Sequence, residues 1–141
     1  MMKVVLDTNV LISGFFWKGT PYQLIELAEH GLIRLFTSDI LLAELHGILS
    51  QPKHARTIAV GEFSIDDIMR RYQKVAVVVP TKKFTQQICR DADDDAVLAC
   101  ALAANANMII TGDKDLLVLH PFQDIPILTP AAAAKLLSKI N

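Results

Sequence analysis

The feature that most constrains this chain is its alternation of short β-branched apolar runs with longer segments of helical period. Lys3 to Leu6 has the length and composition of a buried strand, and Ile33 to Phe36, Val75 to Val79, Met108 to Thr111, and Ile127 with Leu128 read as further strands. Thr20–Pro21 starts a helix that Gly31 stops, and Ser38 or Asp39 starts another that runs to about Ser50, with Pro52 closing it. Ser64 and Asp67 have capping-box spacing and start a helix to about Lys74. Lys82 to Ile88 reads as helical, and Asp91 to Asp95 leads into an Ala-rich helix ending near Ala106. A short helical turn follows Gly112–Asp113, and Thr129–Pro130 opens a last helix to about Lys139. Strands alternating with helices predict an α/β fold with a parallel sheet covered on both faces.

At 141 residues the expectation is one domain over 1–141. A domain that size buries roughly two-thirds of its unfolded surface, so it needs no disulfide or structural metal to fold. The 52% hydrophobic content suits a doubly covered sheet or a partner surface. Cys89 and Cys100 lack metal-ligand spacing and read as reduced thiols. Met1 runs directly into a strand without a signal core, and no apolar run approaches the ~18 residues of a membrane span, so a cytoplasmic location is expected. A net charge of −1 gives no global attraction to nucleic acid. Such binding would need a local basic patch or a bridging cation.

In open parallel sheets, ligands sit beyond the carboxyl ends of the strands. Asp7 and Asp113 each follow a predicted strand there. Glu44 shares a helix face with Ile40 and Ile48, while Leu41, Leu42, Leu45 and Leu49 leave it little polar surface. A carboxylate so placed is costly unless paired or bound to metal. Asp95 repeats the anomaly, with Leu98, Ala99 and Leu102 as its helical neighbours. Acids in a first turn favour the helix dipole, but Asp91, Asp93, Asp94 and Asp95 exceed what capping needs. Asp7, with Thr8 and Asn9, also suits a helix cap, and Asp113 and Asp115 suit a turn. A doubly wound sheet nonetheless brings all these acids to one edge. Oxygen ligands without His or Cys suit Mg²⁺ or Mn²⁺, and the chemistry they suggest is metal-assisted phosphodiester hydrolysis.

The order of these motifs resembles the PIN-domain nucleases, in particular the bacterial and archaeal toxins of toxin–antitoxin pairs. The resemblance runs from Leu6-Asp7-Thr8-Asn9-Val10-Leu11 through Ser38-Asp39-Ile40-Leu41-Leu42-Ala43-Glu44-Leu45 to Pro52-Lys53. It continues through Arg90-Asp91-Ala92-Asp93-Asp94-Asp95 and Ile110-Thr111-Gly112-Asp113-Lys114-Asp115-Leu116, and closes at Ile127-Leu128-Thr129-Pro130. It implies a three-layer α/β/α fold and a metal-dependent endoribonuclease using Mg²⁺ or Mn²⁺. By position, Asp7, Glu44, Asp95 and Asp113 look like the family's four acids, with Asn9, Thr111, Asp94 and Asp115 as supporting polar residues. Adjacent helical residues point about 100° apart, so either Asp94 or Asp95 faces the metal; Asp95 stands where the family has its acid. Ala92 replaces a common proline, and Ala132 a common acid. The implied partners are RNA, an antitoxin and a second copy of the chain.

His30, His46, His54 and His120 show no ligand spacing. Lys53, His54 and Arg56 form a basic segment, and Lys82, Lys83 and Arg90 another; either would grip RNA phosphates if it bordered the acids, with Lys53 and Arg56 the first candidates. Phe15, Phe16 and Trp17 span about 200° of a helix, so packing accommodates two and leaves the third for a homodimer or antitoxin contact. A haloacid-dehalogenase-type phosphatase would need an acid where Asn9 stands, and a receiver domain an aspartate where Pro80 and Thr81 stand. A non-catalytic RNA-binding or assembly module on the same fold is the alternative, and retention of the acids counts against it.

Overall fold

The structure, a computed structural model, describes residues 1–139. Met2–Leu6 (β1), Ile33–Thr37 (β2), Ala76–Val78 (β3), Met108–Ile110 (β4) and Ile127–Leu128 (β5) form one sheet in the order β3-β2-β1-β4-β5, with every pair parallel. The helices are Thr8–Phe16 (α1), Thr20–Glu29 (α2), Asp39–Leu49 (α3), Pro52–Val60 (α4), Ile65–Val75 (α5), Ala92–Ala104 (α6), Lys114–Leu117 (α7) and Pro130–Ser138 (α8). The chain steps outward from β1 through β2 to β3, then returns to place β4 on the other side of β1. That reversal opens a crevice at the carboxyl ends of β1 and β4.

Alternation along each strand divides the core into two faces. Val4, Leu6, Leu35, Met108 and Ile110 pack with residues of α1, α2, α5 and α8, whereas Val5, Phe36, Ile109 and Ile127 pack with α6 and α7. The α3 helix joins both sides, through Leu42, Leu45 and Leu49 on the first and Leu41 on the second. The result is the expected α/β/α arrangement, and burial on both faces explains the apolar runs Val4–Leu6 of β1 and Met108–Ile110 of β4.

Local chemistry sets the boundaries. Ser38 Oγ accepts the Leu41 N–H at 3.3 Å, and Thr129 Oγ1 accepts the Ala132 N–H at 3.2 Å. Ser64 and Asp67 close the expected capping box, at 3.1 and 2.8 Å. Asn105, with φ of 54°, takes the left-handed position that ends α6. Gly14 has a packing role: a Cβ there would collide with the Ile25 side chain and sit 3.0 Å from the Pro21 carbonyl oxygen, so α1 and α2 cross closely only without one.

Three expectations are corrected. Pro52 opens α4 instead of merely closing α3, because proline suits the first turn of a helix as well as the residue after one. Gly19, not Thr20, is the residue before α2, and Thr20 lies inside the helix. Lys82 to Ile88 is not helical; the Ile88 N–H is taken by the Asp95 side chain, which competes with helix formation.

Candidate metal centre

The site begins at the first residue beyond β1. The Asp7 backbone N–H donates to the Ile110 carbonyl at 3.0 Å, holding this residue against the end of β4. Asp7 Oδ1 accepts the Thr8 N–H at 2.7 Å and so caps α1, while Oδ2 accepts the Thr111 hydroxyl at 2.7 Å. Thr111 Oγ1 in turn accepts the Asp113 N–H at 3.0 Å, and Asp113 Oδ1 accepts the Asp115 N–H at 2.9 Å, capping α7. Thr111 is fully buried, and giving its one proton to Asp7 while accepting from Asp113 fixes its rotamer. One hydrogen-bonded chain thus ties the acids beyond β1 and β4 together. Burial raises the Asp7 pKa, the bonds from Thr111 and Thr8 work against this, and the charges of Asp113 and Asp91 add to the rise.

The start of α6 supplies the third acid. Asp91 caps the helix by accepting the Asp93 N–H at 2.9 Å, and this sets which residues of the first turn face inward. Asp94 does: it is 7% exposed, and its Oδ2 is buried without a hydrogen-bond partner. Carboxylate oxygens of Asp94, Asp113 and Asp115 all lie within 4.8 Å of one another. Burial, followed by the charges of Asp113, Asp7 and Asp91, pushes the Asp94 pKa up to about 7. On the open side, Arg90 donates to Asp115 Oδ1 at 2.8 Å.

Glu44 comes from the second turn of α3, half-buried as its apolar neighbours require. Its Oε2 is also buried and unpartnered. Burial is the main reason its pKa rises to about 7; the Thr8 side chain opposes the shift, while Asp93, Asp7 and Asp91 reinforce it. Two buried carboxylate oxygens without partners are costly in an ordinary protein interior. Coordination to a hard divalent cation satisfies such atoms, and the all-oxygen donor set fits one.

Asp7, Asp113, Asp115 and Thr111 therefore stand together with Asp94, and Glu44 is coupled to them through the field of Asp7. Asp95 is turned elsewhere: it accepts the N–H groups of Ile88 and Cys89 at 2.8 and 2.7 Å. Burial pulls its pKa upward, but these bonds and the Cys89 thiol outweigh that and hold it below the usual value. Asn9 is exposed in the first turn of α1. Lys53 and Arg56 lie on α4, whose His54 ring packs 5.4 Å from Phe16 at the end of α1 opposite the acids. Sequence reasoning overlooked Thr8, whose burial beside Asp7 is a tertiary effect, and passed over Asp91 and Asp93 as part of an undivided acidic run.

The PIN domain family matches residues 3–115, most of the chain. The chain belongs to the PIN domain family. Proteins of this family are nucleases. Among solved structures, this PIN domain resembles VapBC2 from Rickettsia felis bound to a DNA fragment from their promoter, with 16% identity and a TM-score of 0.58. That match covers 91% of this chain and 98% of the other. FitAcB from Neisseria gonorrhoeae gives 17% and 0.55 over 91% and 98%, and FitAB bound to an IR36 DNA fragment gives 18% and 0.54 over 90% and 94%. At these identities the likeness is one of fold. No curated protein matches the sequence.

Proposed function

We propose that this PIN domain is a divalent-metal-dependent endoribonuclease, the toxin of a toxin–antitoxin pair, acting in the cytoplasm. The observation that carries the proposal is the pair of buried, unpartnered oxygens, Asp94 Oδ2 and Glu44 Oε2, beside the Asp7–Thr111–Asp113 chain. Mg²⁺ or Mn²⁺ would be held by Asp7, Asp113, Asp94 and Glu44, with Asp115 supporting; Asp94 takes the role the sequence assigned to Asp95. When bound, such an ion activates water and neutralises charge on a phosphodiester.

The protein's own groups do the rest. Thr8 and Thr111 hold both oxygens of Asp7, so its direction is set before any substrate arrives. Asp94 and Glu44, with pKa values of about 7, can each hold a proton in the metal-free protein and release it when a cation loads. Arg90, on the open side of Asp115, brings a positive charge to the rim, where a phosphate would approach. RNA as substrate and the toxin role rest on the resemblance of the motif order. Trp17, 58% exposed while Phe15 and Phe16 are partly buried, marks the surface assigned to an antitoxin or a second copy. Sedimentation of the isolated chain separates those two: a dimer assigns the face to self-association.

The test of the activity is incubation of the purified protein with single-stranded and structured RNAs in Mn²⁺, beside Asp113→Asn. Cleavage that needs the metal and vanishes in the variant is expected. Cleavage under no condition would favour the non-catalytic RNA-binding module.

A further inference from the structure

A second region beside the acids has features that the metal site does not use. Between α3, α6 and the non-helical segment 80–90 lies a cavity of about 290 Å³, lined by Ile40, Lys82, Lys83, Gln87, Asp95 and Ala96 among others. It shares Lys82, Lys83, Phe84 and Ala99 with a neighbouring hollow of about 350 Å³ along α6. Its floor is apolar: Ile40 is 49% exposed, an unusual position for isoleucine, and Ala96 and Ala99 present only methyl groups. Its rim is cationic through two exposed lysines.

The cavity adjoins the acid cluster through both helices. Ile40 lies one turn before Glu44 on α3, and Asp95 follows Asp94 on α6. The wall between them is held in place by side chains. Asp95 clamps the N–H groups of Ile88 and Cys89, and Gln87 Nε2 donates to the carbonyls of Cys89 and Arg90 at 2.7 and 3.0 Å. Only the amide nitrogen of Gln87 can serve two carbonyls, so its orientation is determined and Oε1 remains an acceptor.

We infer that this cleft is a subsite for one nucleotide of the single-stranded substrate beside the cut, resting on the nuclease reading above. Its base packs on Ile40, Ala96 and Ala99, its phosphate meets Lys82 and Lys83, and Gln87 Oε1 accepts from the base edge. Asp95 is the positioning residue that holds the wall. The charge complementarity is local, in a chain whose net charge is −1, which is how such a protein can still grip a polyanion.

The experiment measures binding of a labelled single-stranded RNA decamer in a non-cleaving Asp113→Asn background, across a salt series. Replacing Lys82 and Lys83 together with Ala should weaken binding on the order of tenfold and flatten the logarithmic salt slope by about 0.7, for the one phosphate no longer neutralised. Ile40→Ser should weaken binding with the slope kept. Asp95→Ala removes a negative charge, which by electrostatics alone would strengthen binding; the inference requires it to weaken instead, and in the otherwise unaltered enzyme to raise KM with kcat retained. Asp95→Asn, which keeps one acceptor oxygen, should restore part of the loss. The lysine pair is exposed and its removal should leave the fold intact, so unchanged affinity and slope in that variant would overturn the subsite. So would a lysine effect seen only on displacement by polyglutamate and not on RNA, since the cleft would then serve an acidic protein. If the wild type cleaves no RNA, the nuclease reading fails, yet the binding series still decides the cleft.

Discussion

The acidic starts of α5 and α6 differ in what surrounds their carboxylates. At α5, Asp67 accepts the Ser64 N–H, Ser64 returns the bond, and Arg70 pairs with the same carboxylate. The Ser64 bonds come first in holding the Asp67 pKa below its usual value, and water reaches the group freely. At α6, Asp91 caps, Asp95 takes two N–H groups from another segment, and Asp94 is left with a buried oxygen that nothing satisfies. An acid that a helix end can use finds donors within three residues. One that the tertiary structure turns inward against three other carboxylates is held in place by packing, and its unpartnered oxygen distinguishes it from a carboxylate used only as a cap.

The sharpest way to break this comparison is by neutralisation. Asp94→Asn or Asp113→Asn should lower single-turnover RNA cleavage in Mn²⁺ by at least about 10²-fold, while Asp67→Asn leaves it unchanged. Equal rates in all three would erase the distinction between the two helix starts. Thr111→Val removes the hydroxyl that ties Asp7 to Asp113 and should cost roughly 10–100-fold, as loss of a group supporting a metal ligand does. Melting should stay cooperative in the variant, so that the loss reads as misdirected acids.

Stability against pH should separate the two regions by sign. Asp94 and Glu44 have pKa values raised to about 7 from 3.8 and 4.5, so the folded protein keeps protons that the unfolded chain has released. Their contribution to metal-free stability is fully present below about pH 4 and is lost as pH rises toward 7. Asp67, with a lowered pKa, contributes the reverse: stability present above its ordinary value and lost as pH falls through the folded one. In EDTA at pH 7.5, Asp94→Asn should therefore raise the melting temperature by on the order of 5 °C, and Mn²⁺ should raise that of the wild type more than that of the variant. A wild type whose melting ignores Mn²⁺ would contradict the metal site. The smallest effect is expected at the other helix: Ser64→Ala should cost about 1 kcal/mol of stability, read by urea denaturation, with the response to Mn²⁺ unaltered.

Much of this was readable from residue order because the strong signals are local. Asp7 and Asp113 end apolar strand runs, and Glu44 interrupts a helix that otherwise buries leucine; both patterns need only a period and a neighbour. The choice between Asp94 and Asp95 was different. It depends on which aspartate caps α6, and on a contact from Asp95 to Ile88 and Cys89 that periodicity cannot register. The same contact takes the N–H of Ile88, the last residue of the helix expected over Lys82 to Ile88, and competes with helical pairing there. Pro52 misled for the opposite reason, since one residue can end a helix and begin the next.

The bond between Thr111 and Asp7 joins residues 104 positions apart. During synthesis at roughly 5–20 residues per second, Asp7 leaves the ribosome many seconds before its partner exists. β4 must also emerge before β1 acquires the neighbour that aims this acid. A nascent chain of this protein thus passes most of its elongation before its acids can come together. Chains arrested short of Met108 should be silent in a cleavage assay, and release of the last quarter should switch activity on abruptly. The wide sequence separation built into a doubly wound sheet serves here as a delay.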